Sequence, residues 1–442
     1  MTTTTTATAS VLAFSCVGGS GSDAPPDVDA DVLVPAPDAG RRPVGNGSED
    51  AGPRPPEYDD DGWLRIDVDP SYGCPSYTAT RPDQMPPGIV WEPCSAPILA
   101  LYPSCRTMKT DGPFNGRLNG FVVGGTAGRV DASGKTVLAF TRRSANVTHH
   151  LVGEADGAIR LGLHDGAGSC WTGTPRLAEG RALYPVETRN DDRSSTSRRG
   201  AIGGAFDEAA VVLESLVADY RSYSAGPDMF LDGSAFRAWG PNAPVLSSLG
   251  ENAYYADPGI FVGDAFFFRT NDSFEHHRVR IYQAGSGVRD FLWYGDGIAS
   301  AAADFGTDGK DMVWTEAFGR AYVGDDWSAV HLVTAPYTTD PSKLEKRELR
   351  SMERLEQEPY VVGCGHAVGR LGPTITRLRD GRFATLEQLR SDDGGFVAGF
   401  TKALAITCDE VFVTVHGMGF SDNVVRIRLD DLGLGSQPDG GQ

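Results

Sequence analysis

Three octapeptides set the kind of fold open to this chain. GDAFFFRT from Gly263, GKDMVWTE from Gly309 and DEVFVTVH from Asp409 each lead from a polar turn into a short apolar run. The first two lie 46 residues apart; the third lies 100 beyond the second, room for two further steps. Other β-type runs fill the intervals, separated by Gly, Asp and Asn turns: Phe121–Val123, Thr136–Phe140, His149–Val152, Ile159–Leu161, Ile260–Val262, Val279–Tyr282 and Phe291–Tyr294. The next group reads Ile298–Ala303, Met312–Thr315, Val330–Val333 and Arg347–Met352; the last reads Ala403–Thr407, Val411–Val415 and Val424–Leu429. Gly supplies 55 of the 442 residues, enough for the many turns this rhythm needs. Four strands per step of roughly 45–50 residues is the period of a propeller blade. One such blade cannot bury its two apolar faces alone. Stacked radially, blades bury each other's faces and leave only short edges. The expected fold is therefore all-β, a β-propeller of about five to seven four-stranded blades. The interval 141–262 keeps no clean period, so the sequence leaves the blade number open.

Two stretches carry a more specific signal. Phe305-Gly306-Thr307-Asp308-Gly309-Lys310-Asp311-Met312-Val313-Trp314 is one, and Val130-Asp131-Ala132-Ser133-Gly134-Lys135-Thr136-Val137-Leu138-Ala139-Phe140 is the other. Both resemble the WD40-like repeat of TolB-type propellers, in which a polar turn ending Asp-Gly-Lys leads into an apolar strand. Gly supplies the positive φ of the turn, and the apolar residues enter the blade core. Ser133 stands where the pattern has Asp, and neither copy has the Pro that precedes the Asp. The resemblance implies a protein of the cell envelope that works through protein partners. It carries no catalytic residues.

Two segments read ambiguously. Phe206, Ala210, Leu213, Val217 and Tyr220 lie at helical spacing, yet Ala209–Leu213 is also an apolar run fit for a buried strand, and the strand is the preferred reading. Asp340-Pro341 opens a short helix, since Pro suits the first helical position. The charged stretch Glu345–Glu358 either continues that helix or forms an outer edge strand whose charges prevent edge-to-edge pairing.

The chain opens with MTTTTTATASVLAFSC. An apolar patch, Val11–Phe14, ends at Ser15-Cys16, which resembles a bacterial lipoprotein signal whose Cys receives the lipid. It departs from that pattern in having Ala13 three before the Cys and no basic residue before Arg41. A start codon placed elsewhere would account for both. Residues 17–62 hold eleven acidic and three basic residues, −8 of the total charge of −19, among Pro, Gly and Ser. Such a segment is expected to be a disordered acidic linker. The run Asp27-Val28-Asp29-Ala30-Asp31 has Val32 where a calcium loop needs Gly, so it reads as solvated spacer. The expected organisation is a signal-like segment (1–16), the linker (17–62), a Cys-rich lead-in (63–118), the propeller (119–432) and a disordered tail (433–442). A net charge of −19 argues against a duplex nucleic-acid partner.

Setting Cys16 aside, Cys74, Cys94, Cys105, Cys170, Cys364 and Cys408 remain. An even count in an exported chain fits three bridges. Neighbourhood favours Cys364 with Cys408 and pairs among the first four. The competing reading is a metal site drawn from Cys364, His366, Cys408 and His416, since residues two apart in a strand share a face. No C-x-x-C spacing supports it.

No H-E-x-x-H, G-x-S-x-G or G-x-x-x-x-G-K-[ST] occurs, so no catalytic residue, metal or cofactor is assigned. Gly124–Gly128 is Gly-rich but lacks the Lys of a phosphate loop. His149-His150 and Glu275-His276-His277 place neighbours on opposite strand faces and read as partly exposed strand histidines. Trp239, Tyr254, Tyr255, Trp293 and Trp327 could stack on sugars or anchor a partner, and more often would be blade packing. The chain reads as an exported, lipid-anchored, monomeric propeller acting as a protein- or glycan-binding scaffold at the cell envelope, secreted if Cys16 is not lipidated. The alternatives are a propeller hydrolase or lyase acting on glycans with carboxylates at the pore mouth, and, more weakly, a sandwich-type adhesin.

Overall fold

A computed structural model of the chain describes residues 63–66, 77–80, 88–111, 126–144, 147–165, 170–172, 175–188, 198–205, 210–214, 223–232, 235–239, 244–248, 259–273, 276–293, 300–320, 327–353, 359–369, 373–390, 396–417 and 420–435. Cys16, Cys74, residues 17–62, Phe121–Val123, Tyr254 and Tyr255 lie outside them.

Before the first meander come β1 (Trp63–Ile66), β2 (Tyr77–Thr80), β3 (Gly88–Pro93), a short α1 (Ala96–Leu101) and β4 (Arg106–Asp111). Seven antiparallel meanders follow. Blade 1 is β5 (Ala127–Val130), β6 (Thr136–Ser144), β7 (Val147–Glu154) and β8 (Ile159–Asp165), extended outward by β2 and β1. Blade 2 is β10 (Arg176–Ala178), β11 (Arg181–Thr188), β12 (Arg198–Ala205) and β13 (Ala210–Glu214), with β9 (Cys170–Thr172) also paired to β11. Blade 3 is β14 (Tyr223–Ala225), β15 (Met229–Asp232), β16 (Ala235–Ala238) and β17 (Val245–Ser248). Blade 4 is β18 (Ile260–Val262), β19 (Ala265–Ser273), β20 (His276–Gln283) and β21 (Gly287–Leu292). Blade 5 is β22 (Ser300–Thr307), β23 (Asp311–Arg320), β24 (Trp327–Pro336) and β25 (Arg347–Met352). Blade 6 is β26 (Val361–Gly363), β27 (His366–Val368), β28 (Thr374–Arg377) and β29 (Phe383–Thr385). Blade 7 carries β30 (Leu389–Arg390), β31 (Phe396–Ile406), β32 (Glu410–Gly417) and β33 (Phe420–Arg428).

Hydrogen bonding groups these strands into six sheets, because a short parallel contact of His276 and His277 with Ser300 and Ala301 fuses blades 4 and 5 into one eight-stranded sheet. Counted by meander, the described residues form seven blades.

Blade 7 closes the ring with strands from both parts of the chain. β4 lies antiparallel on β33, pairing Thr107 with Val425 and Arg106 with Arg426. Residues 88–111, grouped above with the Cys-rich lead-in, thus contribute β3, α1 and β4 to this blade. Cys94 and Cys105 form a buried disulfide across the base of the β3–β4 hairpin.

The apolar octapeptides are the strands next outward from the axis-lining strand in blades 4, 5 and 7, namely β19, β23 and, beside β31, β32. Successive strand residues point to opposite faces, and both faces of a blade are covered by neighbours. Phe266 and Phe267, Val313 and Trp314, and Phe412 and Val413 are accordingly all buried. Each seam has its own core. Tyr184 of blade 2 lies 5.2 Å from the His150 ring and donates its hydroxyl to the Leu151 carbonyl of blade 1. Leu183 meets Phe230 between blades 2 and 3. Leu231 and Phe236 meet Phe266 and Phe268 between 3 and 4. Phe267 and Ile281 meet Met312 and Trp314 between 4 and 5. Val313 and Leu332 meet Tyr360 and Ala367 between 5 and 6. Val368 and Ile375 meet Val411 and Val413 between 6 and 7, and Phe412 and Leu404 meet Leu138 and Phe140 between 7 and 1.

Several expectations are refined. The ambiguous segment after Phe206 is a strand where it is described, Ala210–Glu214. Asp340 caps a single turn of 3-10 helix, Pro341–Lys343, by accepting from the Ser342 amide at 3.0 Å. The charged stretch beyond it becomes the outer edge strand β25 rather than more helix. His150 is corrected: it is fully buried in the seam between blades 1 and 2, not partly exposed.

Candidate functional site

The first strand of each blade, or β31 in blade 7, presents its edge to the ring axis. Together these segments enclose a channel of about 650 Å³, lined by parts of β5, β10, β14, β18, β22, β26 and β31 and the turns that follow them. Near the axis neighbouring inner strands converge. At Gly306, on a bulge of β22, an added Cβ would sit 2.9 Å from the carbonyl carbon of Tyr360 in the next blade. A side chain there would displace backbone, which is why the sequence has none.

The turns from first to second strand form one mouth of this channel. The Ser133-Gly134-Lys135 and Asp308-Gly309-Lys310 corners are both such turns, with Gly134 at φ 81° and Gly309 at φ 85°. Asp131 Oδ1 accepts from the Lys135 amide at 2.8 Å, the Ser133 amide at 3.0 Å and the Ser133 hydroxyl at 2.7 Å. Burial pushes the Asp131 carboxyl up, but these donors outweigh it and hold the group below the usual carboxylate range. Asp308 Oδ1 accepts from the Lys310 and Asp311 amides at 2.9 and 2.8 Å. In both turns the carboxylate fixes the local backbone.

Four cationic side chains also belong to lining residues: Arg129, Arg176, Lys310 and Lys402. Arg129 Nη2 lies 3.1 Å from Glu179 Oε2, and Glu179 also accepts the Ala132 amide. This carboxylate on the β10–β11 turn thereby ties blade 2 to the turn of blade 1. Burial lowers the Arg129 pKa, against the pull of Glu179 and Asp131. Further links tie neighbouring inner segments: Arg181 Nε donates to the Pro227 carbonyl, Ser224 Oγ to the Gly259 carbonyl, and the Tyr360 amide to the Asp304 carbonyl. Between blades 6 and 7 the link is covalent, the Cys364–Cys408 disulfide.

That bond overturns the metal reading of Cys364, His366, Cys408 and His416. Cys364 lies not in a strand but in the two-residue β26–β27 turn at φ 49°, and both sulfurs are spent on each other. His366 is buried, with Nδ1 2.9 Å from the Cys364 carbonyl and Nε2 3.3 Å from the Leu434 carbonyl, and burial lowers its pKa. Among the described residues no group of three His, Cys, Asp or Glu is placed to hold a metal ion. Cys170 sits on β9, and Cys74 lies outside the described residues.

Trp239 is blade packing: its indole donates to the Gly226 carbonyl at 2.9 Å, and its ring lies 4.7 Å from Phe230. Trp293 carries the Arg278 guanidinium 4.2 Å above its ring. The side chains of His149, His276, His277 and Trp327 lie outside the described set, as does Glu275. Of Gly124–Gly128, Ala127 and Gly128 start β5 and line the channel with Thr126. Sequence reasoning did not select Arg129, Arg176, Lys402 or Glu179. The three cations share a position at the channel, and Glu179 is tied to Arg129 across the seam, neither of which local spacing reveals.

Two disulfides join the described residues, the mark of a chain that matures in an oxidising compartment outside the cytosol. No described helix is long and apolar enough to cross a membrane.

No family model matches the chain, and no curated protein matches it. Three of the solved structures similar to it are remote. The β-propeller domain of the Trilobed protease from Pyrococcus furiosus is 11% identical at a TM-score of 0.41, over 70% of this chain and 98% of that one. The Trypanosoma rangeli sialidase is 10% identical at a TM-score of 0.36, over 80% of this chain and 60% of that one. A putative TolB from Agrobacterium tumefaciens is 11% identical at a TM-score of 0.27, over 53% of this chain and 84% of that one.

Proposed function

We propose that this chain is a binding scaffold: an exported propeller whose channel mouth and surrounding turns hold a protein or a glycan, carried at the cell envelope on the acidic 17–62 spacer and anchored by lipid on Cys16. One observation favours binding over catalysis. The carboxylates that line the channel, Asp131 and Asp308, are each committed to two amides of their own turn. A carboxylate fixed in this way stabilises a turn and is poorly placed to exchange protons with a substrate. Lys310, in the β22–β23 turn at this mouth, and Lys402, a channel-lining residue of β31, suit an acidic partner surface or an acidic sugar.

The test is a glycan array and a panel of envelope proteins, probed with the full chain and with a Lys310→Glu, Lys402→Glu variant. Saturable binding lost in the variant is the expected result. Hydrolysis or elimination of a glycan that disappears on Asp131→Asn or Asp308→Asn would overturn the proposal in favour of the enzyme reading. Acyl chains on a peptide beginning at Cys16, found by mass spectrometry of membrane-extracted protein, would establish the anchor; a soluble, unmodified Cys16 peptide would remove it.

A further inference from the structure

The two described disulfides differ in exposure and in the segments they join. Cys94 and Cys105 are buried, at 6% and 0% exposure, inside the core of blade 7. Cys364 and Cys408 are both exposed, and both line the channel. The buried pair closes a local hairpin within one blade. The exposed pair joins the tips of two turns, β26–β27 and β31–β32, across the seam between neighbouring blades. Cys364 also holds a left-handed backbone conformation, φ 49°, which costs a side-chain-bearing residue free energy and is routinely adopted by Gly, Asn or Asp.

The seam beneath does not depend on the bond. Val368 and Ile375 of blade 6 are buried against Val411, Val413 and Ile406 of blade 7. Gly363 lies so close to β31 that an added Cβ would stand 2.5 Å from the Ile406 carbonyl oxygen. Apolar burial and inner-strand contact would hold the blades together with the sulfurs apart.

From this geometry we propose that Cys364–Cys408 is a thiol-exchange site, a covalent latch on the channel mouth opened by a dithiol reductant and closed by the reverse exchange with a disulfide, which leaves as the dithiol. One thiolate of the reductant attacks one sulfur of the bond, forming a mixed disulfide and releasing the other cysteine as thiolate. The second thiol of the reductant displaces the mixed disulfide. The reductant leaves as its own disulfide, and two electrons and two protons reside on Cys364 and Cys408. Exposed bonds are the labile class, whereas a buried bond must wait for local or global opening of the fold.

The full chain is treated with dithiothreitol under native conditions, quenched with iodoacetamide at intervals and mapped by peptide mass spectrometry. Cys364 and Cys408 are expected to be alkylated together, at least about tenfold faster than Cys94 and Cys105, with the far-ultraviolet circular dichroism unchanged. Amide exchange should then quicken at 361–368 and 405–411 but not in β5 and β6. Equal rates for the two pairs, loss of β signal as the exposed bond opens, or unaltered exchange around it would each overturn the proposal. A Cys364→Ser, Cys408→Ser variant should keep the fold and already show the faster exchange; failure of this variant to fold would also contradict it.

Discussion

The carboxylate of Asp431 holds the two ends of the ring together, and removing it should loosen that closure more than any ordinary surface substitution. Its Oδ2 accepts from the Ser104 amide at 2.8 Å and the Ser104 hydroxyl at 2.6 Å. The same hydroxyl oxygen accepts from the Arg428 amide at 2.9 Å, so one cluster ties the start of β4 to the end of β33. These contacts span more than three hundred residues of chain. A hydrogen bond to a charged group contributes about 1.5–3 kcal/mol. Two such bonds, discounted because the site is half-buried and water can reach the freed amide, come to about 2–3 kcal/mol for Asp431→Ala. For a ring of this size, with an unfolding entropy of about 0.7 kcal/mol/K, that lowers Tm by about 3–4 °C. Asp431→Asn keeps an acceptor oxygen and should lose about half as much. Denaturant unfolding gives the stability change, and hydrogen exchange should show faster exchange at 106–111 and 424–428 than in blades 3 to 5. A change below about 0.5 kcal/mol, or exchange that quickens evenly around the ring, would refute the idea that this cluster holds the closing blade.

Other consequences follow from single residues. Gly306→Ala should cost about 2 kcal/mol, since the new Cβ meets Tyr360 backbone that cannot yield, partly offset by a stiffer unfolded chain; denaturant titration checks this. The Asp380 carboxyl, gripped by Arg377 Nε at 3.0 Å and Nη2 at 2.5 Å, is held down to about 2. Its contribution is present above the unfolded value near 4 and is lost as pH falls through about 2. An NMR titration should find it there, and Arg377→Gln should return it toward 4. His366 is lowered by burial, with Arg377 and Arg379 adding to the effect, so its neutral form belongs to the folded state. Stability should therefore decline as pH drops below about 6.5, where the unfolded chain takes up the proton first, and His366→Gln should flatten that slope in denaturant unfolding at a series of pH values.

The architecture was legible wherever local chemistry and blade geometry coincide. GDAFFFRT, GKDMVWTE and DEVFVTVH are recognisable because a second strand, covered on both sides, needs an unbroken apolar run behind a tight turn. The Gly-Lys corners at Gly134 and Gly309 are legible because a left-handed turn selects Gly. The 100-residue spacing between the second and third octapeptides spans the outer strands of blade 5, all of blade 6, and β30 and β31 of blade 7, as two steps allow. What was hidden depends on contacts between distant parts of the chain. That β4 would complete the sheet of β33 is written in no local pattern. His150 reads like a surface histidine until the Tyr184 ring of the next blade is laid over it. Cys364 and Cys408 are neighbours enough in sequence to suggest their pairing, but Cys364 reads as strand when it sits in a turn at φ 49°, and only a strand would bring it and His366 to one face. The channel was the least visible feature, since Arg129, Arg176 and Lys402 share a site only because three separate inner strands converge on one axis.

A crystallographic electron-density map of residues 88–435 bears most directly on the whole account. Seven four-strand wedges should surround a single channel, with Arg106 and Thr107 of β4 hydrogen-bonded to Arg426 and Val425 of β33. A map in which β4 pairs elsewhere, or in which the meanders form two stacked layers without a central opening, would contradict it.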